Sequence, residues 1–194
     1  MGYALAAVAK EFGAEVILIS APTQLEPPAG VQTIFVETAS QMRDEVLKVF
    51  PTVDIVISAA AVADFSPKEF KPQKIKKTTL PLILELDKTP DILAELGQKK
   101  RLASLQDKIL IGFAAESESL NEASLNETSL ISNAKAKLKE KNLDLIVAND
   151  IKTAFGKDTT QVVIITKNGE IEKLPLLSKK EVAVRILNKV NSGL

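Results

Sequence analysis

A group of lysines that follows an acidic residue is the strongest chemical signal in the sequence. Asp64 precedes Lys74 by ten residues, and five lysines stand within residues 68–77. Such a cluster can bind a polyphosphate and can balance the negative charge that builds on a leaving pyrophosphate. The same composition is typical of an exposed edge strand that lysines protect from aggregation. The spacing by itself leaves both interpretations open.

Two further groups of residues have side chains that could contact a nucleotide. Gly112 to Glu116 (GFAAE) ends an apolar run, so the ring of Phe113 could stack on a base, although phenylalanine more often belongs to a core. Lys137 and Lys141 are four residues apart on one face of a predicted helix, where lysines are ordinarily solvated. Asp64 could bind Mg²⁺ or a ribose at the end of a strand, or could cap a turn.

The residue types that are missing exclude several other chemistries. The 194 residues include no Cys and no His, which excludes disulfides, thiolate nucleophiles, Ser-His-Asp triads and His-ligated zinc within this sequence. Basic and acidic residues number 25 each, so we expect no general attraction to nucleic acid or to an anionic membrane. The apolar runs are far shorter than the ~20 residues that span a bilayer. We expect a cytoplasmic protein.

Apolar runs alternate with helical stripes along the chain. Continuous runs at residues 15–20, 54–58, 109–113 and 143–148 predict strands that are covered on both faces, as in a parallel sheet. Thr38 with Gln41, and Ser178 with Glu181, predict capping boxes at the starts of two helices. The alternation predicts a doubly wound, Rossmann-like α/β fold with ligands beyond the carboxyl ends of the strands. The length predicts one domain over residues 1–194.

Four segments carry more local predictions. Residues 80–86 (LPLILEL) predict a half-exposed strand, so that residues 74–86 form a lysine-edged hairpin arm. Thr89 is the expected N-cap of the next helix. Asn168-Gly169 predicts a type I′ turn between two strands. Residues 117–129 repeat Ser-Leu-Asn-Glu and predict a mobile polar insertion.

Six motifs, in this order, resemble those of the phosphopantothenoylcysteine synthetase family, the ligase that forms the second half of the bacterial bifunctional coenzyme A biosynthesis flavoprotein. The ordered run is much more specific than any one of its members. The motifs are Met1 to Ala4 (MGYA), Ala59 to Asp64 (AAAVAD), Lys74 to Lys77 (KIKK), Thr89 to Leu93 (TPDIL), Gly112 to Glu116 (GFAAE) and Lys141 to Asp150 (KNLDLIVAND).

The resemblance implies ligation of 4′-phosphopantothenate to cysteine, driven by CTP through an acyl-cytidylate, with release of pyrophosphate and then CMP. It implies Mg²⁺ that accompanies CTP, with no residue predicted as a direct metal ligand, and Lys74 as the catalytic residue that acts on the triphosphate. It also implies a homodimer, and fusion to or association with a phosphopantothenoylcysteine decarboxylase, whose flavin is not expected in this chain. The implied nucleotide-binding residues are Ala59, Ala60, Ala61, Asp64, Lys74, Pro90, Asp91, Ile92, Leu93, Phe113, Lys137 and Lys141.

The start of the sequence departs from the family pattern, in which a strand and an Asn/Ser/Gly-rich loop precede the MGYA segment. We therefore expect a fold that lacks its first strand and Gly-rich loop, and a chain that binds CTP but ligates cysteine poorly. A non-catalytic CTP-binding module is one alternative. A nicotinamide-dependent short-chain reductase is another, suggested by residues 54–61 (DIVISAAA), but Ala7 stands where the Tyr-x-x-x-Lys pair would need a lysine after Tyr3, the only tyrosine.

Overall fold

Helices and strands alternate along the chain in the order that the sequence predicts. The computed structural model describes residues 1–69, 71–75, 83–102, 105–116, 125–150 and 157–193. Within those ranges no helix is both long enough and apolar enough to cross a membrane.

The helices are α1 (Gly2–Glu11), α2 (Ala39–Val49), α3 (Ile92–Arg101), α4 (Leu125–Glu140) and α5 (Lys179–Asn191), and a 3-10 turn (Phe50–Thr52) follows α2. The strands are β1 (Ile17–Ser20), β2 (Gln32–Phe35), β3 (Ile55–Ser58), β4 (Phe65–Pro67), β5 (Leu86–Lys88), β6 (Ile109–Glu116), β7 (Leu145–Asp150), β8 (Thr159–Thr160), β9 (Val162–Thr166), β10 (Ile171–Lys173) and β11 (Leu177–Ser178).

The central sheet has five strands in the order β10-β9-β7-β6-β3. Strands β3, β6 and β7 are parallel, whereas β9 runs antiparallel to β7 and β10 antiparallel to β9. The α/β prediction is confirmed, but the sheet is mixed rather than parallel throughout, because the short turn between β9 and β10 can join only antiparallel strands. A separate parallel pair consists of β1 and β2, and β4 pairs antiparallel with β5.

Helices cover both faces of the central sheet. Helices α1 and α5 pack on one face, where Val8 and Ile186 are fully buried against Ile111 and Val147. Helices α3 and α4 pack on the other, where Leu96 and Leu130 are fully buried. Neighbouring residues of β7 belong to opposite clusters, as the alternation of side chains along a strand requires. The arrangement is therefore doubly wound, as predicted.

Two helix starts confirm their predicted capping boxes. The amide of Gln41 donates to Oγ1 of Thr38 at 3.1 Å, and the amide of Glu181 donates to Oγ of Ser178 at 3.2 Å. In both motifs the glutamine or glutamate side chain accepts a hydrogen bond from the backbone amide of the capping residue. These motifs need only residues three apart in the chain, so the sequence is sufficient to predict them.

Several local expectations are wrong. Of the strand predicted at residues 80–86, residues 80–82 lie outside the described residues, residues 83–85 are not strand, and pairing with β4 begins only at Leu86. The turn before β10 has a positive φ at Gly169 (89°) and not at Asn168, so it is not type I′. The amide of Gly169 donates to the carbonyl of Thr166 at 3.0 Å, which makes it a type I turn followed by a bulge.

The other departures concern burial and the polar insertion. The apolar residues of β1 are only half-buried, because β1 pairs with β2 alone rather than lying inside a larger sheet. Residues 117–124 of the predicted insertion lie outside the described residues. Residues 125–129 instead form the start of α4, which corrects that part of the expectation. The buried stripe of Leu130 and Ala134 stabilises this helix through contacts that local polarity does not reveal.

Candidate functional site

The N-terminus of α3 holds four residues that were expected to bind nucleotide, Pro90 to Leu93. Asp91 is the N-cap, and its Oδ1 accepts a hydrogen bond from the amide of Ala94 at 2.9 Å. The expectation that Thr89 caps this helix is wrong, because α3 begins at Ile92 and only Asp91 lies three residues before the bonded amide. The first-turn amides and the positive end of the helix macrodipole can bind an anion here.

Lys141 adds a positive charge to the same helix end. Its Nζ lies 2.7 Å from Oδ2 of Asp91, and the two side chains are 25% and 49% exposed, so a ligand can reach both. Partial burial alone would raise the pKa of Asp91. The hydrogen bonds from Lys141 and from the amides of Ala94 and Leu93 outweigh that effect, and the pKa lies below its ordinary value. Asp91 is therefore ionised at neutral pH and neutralises Lys141 in the free protein.

Lys137 lies one helical turn before Lys141. Its carbonyl accepts a hydrogen bond from the amide of Lys141 at 3.0 Å, and its side chain is half-buried. The two lysines therefore stand on one face at the C-terminal end of α4, as their spacing predicts.

The main chain of Asp64 is hydrogen-bonded to the segment that leads into α3. The amide of Thr89 donates to the carbonyl of Asp64 at 2.9 Å, one step beyond the paired residues Phe65 and Lys88. The pairing of β4 with β5 thus brings Asp64 beside the segment that leads into α3. The side chain of Asp64 is exposed. The main chain of Asp64 is therefore joined to the segment that leads into α3, although the two are distant in the sequence.

The end of β3 and the middle of β6 hold further residues that were expected to contact the nucleotide. Ser58, the last residue of β3, pairs with Gly112, so Ala59 follows β3 directly and Phe113 follows Gly112 within β6. Ala60 and Ala61 are exposed, as a backbone-accessible run requires. Phe113 is half-buried and packs against the core cluster around α1 and α5. Part of this residue therefore belongs to the core, and the remainder is accessible to a ligand.

Gly112 joins the strand to the helix of the site. A Cβ atom at this position would lie 2.8 Å from Cδ2 of Leu93 and 2.8 Å from Cδ1 of Leu143. A larger residue at this position would make both leucine side chains shift, so glycine allows the first turn of α3 and the turn before β7 to pack closely on β6.

Lys74 is exposed within residues 71–75. Within the described ranges no hydrogen bond or ion pair joins it to Asp91 or Lys141. Lys68 instead pairs with Glu85 across the arm at 3.3 Å, while Lys76 and Lys77 lie outside the described residues. The assignment of Lys74 as the catalytic residue stays a prediction.

A separate concavity of about 900 Å³ lies at the carboxyl ends of β1 and β2. Its carboxylates repel phosphate, so its charge suits a triphosphate less well than the end of α3 does. The residues that line it are Pro22, Thr23, Ile34, Phe35, Val36, Glu37, Gln41, Asp44 and Glu45.

Sequence reasoning missed two residues that hold the site together, Gly97 and Asn142. Gly97 is buried inside α3, and Asn142 has a left-handed backbone with φ of 52° directly after Lys141. A glycine inside a predicted helix and an asparagine directly after a predicted helix are the signals that could have identified them.

Comparison with known proteins finds a family match over the whole chain. The model of the DNA/pantothenate metabolism flavoprotein C-terminal domain matches residues 1–194. The chain is 46% identical over 194 residues to the coenzyme A biosynthesis bifunctional protein CoaBC of Bacillus subtilis strain 168, a match that covers 98% of this chain and 44% of that protein. It is 44% identical over 188 residues to the protein of the same name from Borreliella burgdorferi, covering 96% and 44%. The chain thus spans less than half the length of these curated relatives.

A solved structure agrees with the fold. The crystal structure of the C-terminal domain of a coenzyme A biosynthesis bifunctional protein CoaBC superposes with a TM-score of 0.77 at 42% identity, covering 97% of this chain and 79% of that one.

Proposed function

This chain belongs to the DNA/pantothenate metabolism flavoprotein C-terminal domain family, and on that premise we propose that it joins 4′-phosphopantothenate to cysteine in coenzyme A biosynthesis, with CTP as the energy source. One observation carries the proposal. The ammonium of Lys141 lies beside Asp91, the N-cap of α3, and Thr89, just before this helix, is hydrogen-bonded to the carbonyl of Asp64. A helix N-terminus with a lysine beside it is suited to the phosphates of a nucleotide.

The first half-reaction needs alignment and charge neutralisation more than a proton carrier. A carboxylate oxygen of 4′-phosphopantothenate attacks the α-phosphorus of CTP, and the bond to the bridging oxygen breaks as pyrophosphate leaves. Lys137, Lys141 and the first-turn amides of α3 hold the phosphates, and Lys74 from the arm neutralises the departing charge. A chain without histidine can perform this step.

The second half-reaction breaks the mixed anhydride. The amine of cysteine attacks the acyl carbon, loses a proton and forms the amide, while CMP leaves with the bonding electron pair. The half-buried ring of Phe113 and the exposed backbone at Ala60 and Ala61 would hold the cytidine end during both steps.

Mg²⁺ would enter the site with the triphosphate. Both carboxylate oxygens of Asp91 already accept hydrogen bonds, from Ala94 and from Lys141, whereas the side chain of Asp64 is exposed. Asp64 is therefore the carboxylate better suited to contact the ion, which would add positive charge to the phosphates. Within the described residues no three acidic side chains form a metal cluster, so the phosphates would supply most of the ligands.

The proposal is tested by following both products separately. CTP with 4′-phosphopantothenate should release pyrophosphate and accumulate an acyl-cytidylate that mass spectrometry detects, and cysteine should then release CMP. CTP that binds in a calorimeter without any pyrophosphate release in the presence of 4′-phosphopantothenate would instead identify a non-catalytic binding module.

We also propose a homodimer that forms through the hairpin made of β4, β5 and residues 83–85, which lead into β5. This hairpin leaves large apolar side chains exposed on both of its segments, among them Phe65 (54%), Ile83 (82%) and Leu84 (63%). Apolar side chains of this size on one exposed hairpin are stabilised when another surface buries them, and a second copy of the chain supplies an identical hairpin. The relatives that carry two functions in one chain also support fusion to or association with a decarboxylase.

Replacing Ile83 and Leu84 together by glutamate should shift the mass measured by light scattering from twice to once that of the chain. Leu176→Glu is the control, because Leu176 is about as exposed as Leu84 (60% against 63%) but lies outside this hairpin. A single-chain mass for the unaltered protein at every concentration would contradict the dimer.

A further inference from the structure

The end of α4 is a tight turn that fixes the main-chain position of Lys141. The amide of Leu143 donates to the carbonyl of Leu138 at 2.9 Å, and the amide of Asn142 donates to the carbonyl of Lys139 at 3.3 Å. With φ of 52° at Asn142, these bonds form a Schellman motif in which Lys141 is the C-cap of α4. Leu143 is buried against Gly112 and anchors the turn to β6.

Helix α3 contacts this turn through its backbone. A Cβ atom on Gly97 would lie 1.9 Å from the carbonyl oxygen of Lys141 and 2.8 Å from its carbonyl carbon. The carbonyl of Gly97 also accepts a hydrogen bond from Nδ2 of Asn142 at 3.3 Å. Because the atoms that a Cβ at position 97 would overlap belong to the main chain of Lys141, no side-chain rotation can remove that overlap.

The side chain of Lys141 spans from this contact to the start of α3. Gly97 lies six residues after Asp91, which is about 9 Å along a helix. From its fixed main chain Lys141 places its ammonium 2.7 Å from Asp91, at the N-terminal amides. A displacement of the Lys141 main chain away from α3 therefore moves the ammonium away from the same anion-binding end.

We propose that Gly97 and Asn142 are positioning residues that hold Lys141 at the N-terminus of α3 for nucleotide binding, an inference that rests on the proposed function. Gly97 permits the backbones of α3 and the α4 turn to meet, and Asn142 supplies the left-handed residue that ends α4. Neither residue needs to touch the nucleotide. They affect nucleotide affinity only by setting the position of the Lys141 ammonium group.

Gly97→Ala should weaken CTP binding about tenfold, as measured by calorimetry, although alanine is the better helix former and would stabilise an unconstrained helix. Gln98→Ala, at the exposed neighbour in α3, is the matched control and should leave the affinity unchanged. Asn142→Gly should bind CTP nearly as well as the unaltered protein, and Asn142→Ala several-fold more weakly, because alanine adopts a positive φ with difficulty.

A double-mutant cycle separates positioning from general structural damage. Lys141→Met should weaken CTP binding roughly 10-fold to 100-fold. In the Lys141→Met background, Gly97→Ala should cost little more, because the ammonium that it displaces is already absent. Equal losses from Gly97→Ala in both backgrounds would overturn the positioning role. An unchanged affinity in Lys141→Met itself would instead contradict the proposed nucleotide site.

Discussion

Replacing Lys74 by glutamine is expected to slow formation of the acyl-cytidylate about 100-fold while the fold stays intact. The side chain is exposed in residues 71–75, so its loss removes no packing. The proposed role of its charge is to neutralise the pyrophosphate as it leaves, and that interaction strengthens as the reaction proceeds. The loss should therefore appear in kcat more than in the affinity for CTP.

Lys71→Gln is the matched control, since Lys71 lies in the same exposed segment three residues earlier. It should slow pyrophosphate release only slightly. Equal losses from the two substitutions would mean that the lysines act as a diffuse basic surface, and an unaffected Lys74→Gln protein would remove Lys74 from the catalytic role. Burst kinetics of pyrophosphate release measure the step directly.

Replacing Asp144 by alanine is expected to lower the free energy of unfolding by about 3–5 kcal/mol. Asp144 lies just before β7, three residues after Lys141, and its side chain is only 3% exposed. It accepts hydrogen bonds from the ammonium of Lys100, from the amide of Leu110 at 2.8 Å and from the ammonium of Lys167 at 2.8 Å. Removal of the carboxylate leaves the buried Lys100 without its counter-ion.

Urea unfolding measures this loss, and two further variants identify its cause. Lys100→Met combined with Asp144→Asn removes both charges and keeps an acceptor for the amide of Leu110, so it should recover more than half of the loss. Asp44→Ala, which removes the exposed ion pair with Arg43, should cost less than about 1 kcal/mol. If Asp144→Ala lowers the free energy of unfolding no more than Asp44→Ala does, the buried network stabilises the fold no more than an exposed ion pair.

The same carboxylate makes stability depend on pH. Burial alone would raise the pKa of Asp144, but the hydrogen bonds from Lys100, Lys167 and the Leu110 amide outweigh burial, and the pKa lies below its ordinary value. Its contribution is therefore complete above about pH 4 and is lost as the pH falls through the lowered folded-state pKa. The unaltered protein should lose stability more steeply below pH 4 than the double variant with neutral residues.

Much of the fold follows from signals that lie within a few residues of each other. The capping boxes of Thr38 and Ser178 need only a partner three residues away, and the apolar runs of β6 and β7 specify strands without any knowledge of their neighbours. The same holds for parts of the site, because Lys137 and Lys141 share a helix face through their spacing alone. For these features the sequence was sufficient.

The tertiary structure alone decided which distant residues meet. Asp91 rather than Thr89 caps α3, and it pairs with Lys141, which lies fifty residues later in the chain. Asp144 gains its lysines from α3 and from the end of β9, and Gly97 becomes essential only because the main chain of Lys141 lies against it. Charge pairs and close backbone contacts depend on distances of a few ångströms between elements. Those distances arise from the packing of helices on the sheet, which periodicity along a single chain does not encode.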